Sequence, residues 1–370
     1  TVPHKGEWIV VEDEMSKSRS YVTANLLPDG NILVMGGEDK NADTADIFDT
    51  NEMKIIKTIQ LNDKRFFLYN ATTLSDGDVF VQGGHIFKEK KVPEPTKTTK
   101  LFNSKTYTFR ETKPMKYISR KNFSFLLKNG NVLILNAPLN ISESEFKKRE
   151  NMRFQVYNPN KDEYYETKNG IHRMFIRPQH MILENGDILF KCDGVFRYAK
   201  DKKAGTSACL YNLKENRFEI FDSFPTEQLF IQLDEENYLT IKPEETSCTG
   251  HVYNIKTKEK VQVKNKINRT FYSASASLPK MILLENGNVL IIGVSLKKLP
   301  SNNIPNVHNK NNYDYSTYLY NKKENQFYRV SSPQIKIDNS AASIVLKNGT
   351  VLIFGGRSDQ EGKKIQIYKY

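Results

Sequence analysis

Leu26-Leu27-Pro28-Asp29-Gly30-Asn31-Ile32-Leu33-Val34-Met35-Gly36-Gly37 sets two apolar runs on either side of Asp-Gly. That dipeptide predicts a two-residue hairpin turn, because the turn needs positive φ and Gly reaches it without a Cβ clash. The flanking runs then read as strands. The pattern returns as Leu74-Ser75-Asp76-Gly77-Asp78-Val79-Phe80-Val81-Gln82-Gly83-Gly84 and as Leu127-Lys128-Asn129-Gly130-Asn131-Val132-Leu133-Ile134-Leu135. Further copies occupy residues 183–190 around Asn185-Gly186, 283–292 around Asn286-Gly287, and 346–356 around Asn348-Gly349. Between them Leu233-Asp234-Glu235-Glu236-Asn237-Tyr238-Leu239 keeps the register without its Gly and counts as a degenerate fifth copy, giving seven in all.

A second unit follows each hairpin, in which an aromatic and a turn are answered by another aromatic seven residues on. It runs from Phe102-Asn103 to Phe109, Tyr157-Asn158 to Tyr164, Tyr211-Asn212 to Phe218 and Tyr320-Asn321 to Phe327, with Phe48-Asp49 to Ile55 less aromatic. Tyr253-Asn254 begins a sixth, whose later place falls to Lys260 beside Val261. Each repeat therefore supplies four strands, the content of one propeller blade. After the last hairpin, residues 365–370 give a third strand with no fourth behind it, while Trp8-Ile9-Val10-Val11 stands before the first hairpin. Pairing the two would complete the last blade and remove a free edge. The expectation is an all-β, seven-bladed propeller of four antiparallel strands per blade, a single domain over residues 1–370.

The four-strand pattern, with Arg or Lys ahead of the first strand, Asp-Gly or Asn-Gly, then Gly-Gly, then Tyr-Asn and a later aromatic, resembles the kelch repeat. The resemblance covers essentially the whole chain. Gly-Gly is intact at Gly36-Gly37, Gly83-Gly84 and Gly355-Gly356, and reads Leu135-Asn136, Lys191-Cys192, Lys242-Pro243 and Ile292-Gly293 elsewhere. The family's late Trp survives only as Trp8. The long hairpin variant looks like bacterial kelch proteins and the galactose oxidase propeller more than animal kelch modules.

Composition narrows the function classes. No apolar run approaches the ~20 residues of a membrane span. The formal charge of +12 comes with Lys and Asn spread along the whole chain, a surface bias rather than a patch, so no nucleic-acid partner is expected. Cys192, Cys209 and Cys248 show no CxxC spacing and read as small buried residues, with one bridging pair open in an oxidising compartment. The chain starts at Thr1 without an initiator Met or signal peptide, which leaves export open and favoured over a cytoplasmic location. A monomer is expected.

In such a blade the turns between strands one and two and between three and four share one rim, and these are short and uniform. The other rim carries connections of variable length, including residues 84–98, 137–152, 193–206 and 294–316. Variable loops on a rigid scaffold are where binding resides, so this loop-rich face is the expected site for a protein partner or an acidic glycan. Ahead of the innermost strands on that rim recur Arg19, Arg65, Arg120, Arg177 and Arg269, with Tyr21, Phe67, Phe123, Phe175 and Tyr272 close by. Converging guanidinium groups would suit a carboxylate or sulphate; the same arginines in a kelch repeat also brace adjacent blades.

His172 and His180 flank Arg173 and Arg177, and His180 either faces the channel as an acid or base or packs between blades. His85 should project from the loop-rich rim. Nothing has metalloprotease spacing or a nucleophile elbow. The acidic runs 38–46 and 234–236 lack the alternating ligands of a calcium loop and read as solvated. The lysine-rich stretch 88–100, with Pro93 and Pro95, reads as a mobile exposed loop. No cofactor and no metal site are expected, and no catalytic residue is assigned. The alternative to a binding module is a carbohydrate-active enzyme, epimerase- or lyase-like, since propellers of this type include such enzymes; His180, Tyr272, Arg177 and Arg269 could supply its base, donor and clamp. An oxidase like galactose oxidase would need copper ligands on a domain beyond the propeller, and no sialidase Ser-x-Asp-x-Gly-x-Thr-Trp box occurs.

Overall fold

The backbone turns establish the repeat physically. In the computed structural model Leu27 N donates to Asn31 O at 2.8 Å and Gly30 N to Leu27 O at 3.0 Å. The same pair of bonds closes the hairpins at Leu74, Leu127, Leu183, Leu284 and Leu346. Of the three loop residues only the Gly has positive φ, between 80° and 88° in all six. That geometry is a type I turn closed by a left-handed Gly, so the turn is a three-residue loop and not the two-residue one expected from Asp-Gly. The fifth copy manages without Gly because Asp234 Oδ1 accepts from the backbone N of Glu236 (3.1 Å) and Asn237 (2.8 Å).

The second turn is equally regular. The leading Asn or Asp caps its own loop; Asn103 Oδ1, for example, accepts from Lys105 N and Thr106 N at 3.1 and 2.9 Å. Four residues after it the chain turns left-handed in six repeats, at Met53, Tyr107, Asp162, Asn216, Lys258 and Asn325. The seven-residue aromatic spacing is now explained, since Phe102 and Phe109, Tyr157 and Tyr164, Tyr211 and Phe218, and Tyr320 and Phe327 are directly opposed across that hairpin.

The structure describes residues 6–370 apart from 38–42, 62–64, 88–92, 119–120, 138–153, 172, 175–178, 192–193, 196–207, 222–228, 245–246, 269–278, 297–312, 336, 338–339 and 357–359. Seven antiparallel meanders of four strands define a seven-bladed β-propeller. Blade one comprises Val22–Leu26, Ile32–Gly36, Thr44–Asp49 and Lys54–Gln60. Blade two has Arg65–Thr73, Val79–Phe87, Thr99–Asn103 and Thr108–Thr112, and blade three Lys121–Leu126, Val132–Ala137, Gln155–Asn158 and Glu163–Glu166. Blade four follows with His180–Ile182, Ile188–Lys191, Ala208–Asn212 and Arg217–Phe221, and blade five with Leu229–Gln232, Asn237–Pro243, Cys248–Asn254 and Lys260–Gln262. Blade six is Lys280–Leu283, Val289–Leu296, Tyr313–Asn321 and Gln326–Val330. Blade seven takes three strands from the C-terminal end, Ala342–Val345, Val351–Phe354 and Lys364–Lys369, and its outer strand, Glu7–Glu14, from the N-terminal end, with Trp8 opposite Tyr368.

The strands fall into two compact units, Thr1–Val22 with Glu227–Tyr370, and Thr23–Thr226. The second strands Ile32–Gly36 and Val351–Phe354 are buried at every residue and show no alternation, whereas the fourth strand Lys54–Gln60 is mostly exposed. Seams between blades are filled by clusters such as Leu133, Leu135, Val156, Ile188, Phe190 and Tyr211. Phe80 of blade two stacks on Tyr157 of blade three, ring centroids 4.3 Å apart. Each such side chain removed from water contributes about 1.5–3 kcal/mol. Cys209 and Cys248 are free thiols buried in this core, as expected; Cys192 lies outside the described residues.

Candidate functional site

The two rims differ in construction. On the short-turn rim Thr50 Oγ1 donates to Gly30 O at 2.9 Å, which joins the two turns of blade one. The residue after the turn Gly makes the same tie elsewhere: Asp78 Oδ1 accepts from Ser104 N, Asp187 Oδ1 from Leu213 N and Asn288 Oδ1 from Lys322 N, at 2.8–2.9 Å. Ties also run from blade to blade, as when the Tyr107 hydroxyl accepts from Asn31 Nδ2 at 2.7 Å and donates to Asp29. These bonds hold the turns of that rim to one another. The loop-bearing connections of the other rim lie largely among residues outside the description.

Of the sequence-derived site residues, Arg120, Arg177, Arg269 and Tyr272 fall outside the described residues, as do Phe175 and His172. Arg65 is described in its backbone alone, opposite Ile86 at the start of blade two. Arg19 is fully buried. Its Nη2 donates to Ser16 Oγ at 3.3 Å, its backbone N to Gly362 O at 3.1 Å, and its carbonyl accepts from Gly356 N at 2.8 Å. The Gly355-Gly356 pair permits that approach, because a Cβ on Gly355 would stand 2.4 Å from the Arg19 carbonyl. Arg19 thus braces the last blade from within. Two residues on, Tyr21 reaches the surface at 36% exposure, with φ at +52°, a backbone region uncommon for a bulky side chain.

His180 begins the inner strand of blade four opposite Phe190, and its ring meets Phe125 edge-on at 4.8 Å. It retains solvent-accessible surface while protein surrounds it on the larger scale. That surround disfavours the imidazolium and lowers its pKa to about 4 by burial, so the ring is neutral near neutral pH. The residue is thus exposed to water while its ring packs against Phe125 and Phe190. His85 departs from expectation. It sits inside strand Val79–Phe87 and is buried, so it does not project from the rim.

One loop reading is also corrected. Residues 93–100 are built into blade two, Pro93–Pro95 pairing with residues 85–87 and Thr96, Thr99 and Lys100 buried. Asp234 is a turn-forming group whose pKa is lowered to about 2: burial works to raise it and is outweighed by hydrogen bonds from Lys322 Nζ and from the backbone and side chain of Asn237. Sequence reading missed a pair of asparagine clasps. Asn169 exchanges two 2.8 Å bonds with the backbone of Phe218, and Asn265 does the same with Phe327. These span 49 and 62 residues, and the only signal available was the recurrence of Asn at one place in two repeats.

No protein-family model and no curated protein matches the sequence. Solved structures do match the fold. One is a fungal alcohol oxidase of the AA5 family in complex with copper, 12% identical, TM-score 0.66, matching 99% of this chain and 76% of its own. Another is YjhT, 11% identical, TM-score 0.51, covering 96% of this chain and 95% of its own. At these identities the likeness concerns the propeller alone. Among the described residues no three His, Cys, Asp or Glu side chains converge to hold a metal ion. No helix among them is long and apolar enough to cross a membrane.

Proposed function

We propose that this chain is a kelch-type propeller that acts as a binding module, presenting its loop-bearing rim to a protein or an acidic glycan. The observation that carries the reading is the contrast between rims. On the short-turn rim, turn-to-turn hydrogen bonds tie the two turns of blades one, two, four and six together, whereas the connections of variable length fall on the other rim, and variable loops on a rigid scaffold are where binding resides. Arg65 opens the inner strand of blade two, and in the sequence Arg120 and Arg177 stand just ahead of the inner strands of blades three and four, with Arg269 and Tyr272 ahead of that of blade six. Paired charge-assisted hydrogen bonds from such groups select carboxylates and sulphates.

Thermal unfolding with uronates, sialic acids and sulphated oligosaccharides, each with and without calcium, tests it. A ligand at a hundred times its Kd adds about 2.7 kcal/mol. The expected hit is acidic and is lost in Arg177→Ala and Arg269→Ala; no shift with any saccharide redirects the reading to a protein partner.

A second reading, a carbohydrate-active enzyme, draws on the water-accessible His180. Its low pKa makes it a poor proton acceptor near pH 7, which is why binding is preferred. Turnover of a bound sugar that disappears in His180→Gln while binding persists would reverse that preference.

A further inference from the structure

We propose that Tyr21 is the ring on which a pyranose unit of an acidic glycan stacks at the loop-bearing rim. The inference rests on the reading of that rim as the binding face, and it favours a glycan over a protein as the occupant.

The backbone at Tyr21 is strained, and the repeat supplies no cause for the strain. Among the described residues seven other than Gly take positive φ. Six of them stand four residues after the Asn or Asp that leads a blade's second turn, where the hairpin itself calls for a left-handed step. Tyr21 is the seventh, at +52°, and it stands directly before the inner strand of blade one. Gly or Asn would meet that backbone shape at lower cost than a bulky side chain, whose Cβ crowds the following carbonyl. Conformations of this kind persist where the surroundings over-determine them, and they gather at functional sites.

The surroundings here hold the chain on both sides of Tyr21. Arg19 N donates to Gly362 O at 3.1 Å, the Arg19 carbonyl accepts from Gly356 N at 2.8 Å, and Val22 N donates to Ser340 O at 3.1 Å. Ser340 Oγ donates in turn to Gly356 O at 3.1 Å. Arg19 and Ser20 are buried, whereas Tyr21 is exposed. The bracket thus turns one residue outward on a fixed backbone, so much of the ordering that binding would demand is already met by folding.

Exposed aromatic side chains are few enough to compare one by one. Among the described residues they are Tyr21, Tyr165 and Tyr370. The last two belong to the short-turn rim: the Tyr165 hydroxyl accepts from Asn131 Nδ2 at 2.9 Å, next to the turn Gly130, and the Tyr370 ring stands 3.5 Å from where a Cβ on the turn Gly349 would be. Tyr21 lies in the segment 15–21 that links the outer strand of blade seven to the inner strand of blade one, a connection of the opposite rim. A tyrosine offers a flat apolar face with few rotatable bonds. The C–H face of a pyranose complements it, and a sugar acid unites that face with the carboxylate that arginines select. An extended acidic peptide has the charge without the flat ring.

Isothermal titration of the full chain with an oligogalacturonate and with an oligoglutamate of equal charge tests the proposal. The saccharide should bind at least about tenfold more tightly than the peptide. Tyr21→Leu keeps apolar bulk without a flat face; it should weaken the saccharide about tenfold and leave the peptide within about twofold, while Tyr21→Phe should hold the saccharide within about twofold. If the leucine variant lacks the parent's cooperative thermal unfolding, Tyr21→Asn serves, since Asn tolerates a left-handed backbone. Saccharide binding that is unchanged without the ring, or lost in Tyr21→Phe, overturns the role of Tyr21; the reading of the rim then still stands if Arg177→Ala abolishes that binding. Tighter binding of the peptide than of the saccharide assigns the rim to a protein partner and overturns the inference. No binding of either by the parent overturns both the inference and the glycan reading on which it rests.

Discussion

Asn216 shows how much one side chain carries in this architecture. It occupies the left-handed turn position with φ at +51°, accepts the Tyr211 hydroxyl at 2.9 Å and donates to the Glu166 carbonyl of the preceding blade at 2.9 Å. Asp162 and Asn325 repeat the device with Tyr157 and Tyr320. Asn216→Ala puts at a left-handed position a residue that tolerates it less well than Asn, and strands the hydroxyl of a buried tyrosine, so it should cost about 2–4 kcal/mol. Asn216→Gly keeps the backbone and should cost about 1 kcal/mol less. Urea unfolding with an unchanged slope and a lowered midpoint is the measurement; equal losses for the two substitutions would mean that backbone conformation contributes nothing. At this scale sequence reading was weakest. Arg19 has the same place in its repeat as Arg65, yet it is enclosed by Gly355-Gly356 and Gly362, which lie more than 300 residues away.

Hairpins were the most legible elements, because their signals are local. Opposed aromatics seven residues apart are cross-strand neighbours, and a Gly at positive φ ends every regular first turn. The loop length was misjudged since Asp-Gly serves both a two-residue turn and the three-residue turn found here, and only the backbone bonds distinguish them. Of the candidate site the sequence marks only a rim, through loop-length variation; Arg19, expected on it, is buried, because its enclosure depends on glycines from the far end of the chain that no local motif records. The degenerate fifth hairpin offers a pH test at this scale. Asp234 has a folded pKa of about 2, below the value near 4 of an unfolded chain. Its contribution is then fully present above about pH 4 and is lost as pH falls through about 2. With Asp234 and Lys322 side chains 37% and 43% exposed, solvent screening keeps that contribution below about 1 kcal/mol. Lys322→Met should flatten this part of the acid limb of a stability-against-pH curve; an unaltered limb would show that the turn's own backbone bonds set the Asp234 pKa.

At the scale of the molecule, blade seven is assembled from both ends of the sequence. Trp8, the single tryptophan, packs on Tyr368 with centroids 5.0 Å apart and donates its indole N–H to Ser331 O at 2.9 Å. Trp8→Ala should cost about 3–5 kcal/mol, read by circular dichroism in denaturant, and should expose Lys364–Lys369 as an edge strand with faster amide exchange than in the parent. Exchange confined to strand Glu7–Glu14 would instead show that the remaining three strands hold without it.

Because Glu7 lies opposite Lys369, the start and finish of the described chain are spatial neighbours. Chain order and spatial order are therefore separable: a short linker could join the two ends, and a new start could be cut at a solvent-facing Asn-Gly turn such as Asn286-Gly287. A circular permutant of that kind would carry blade seven as one continuous piece and move the split to blade six.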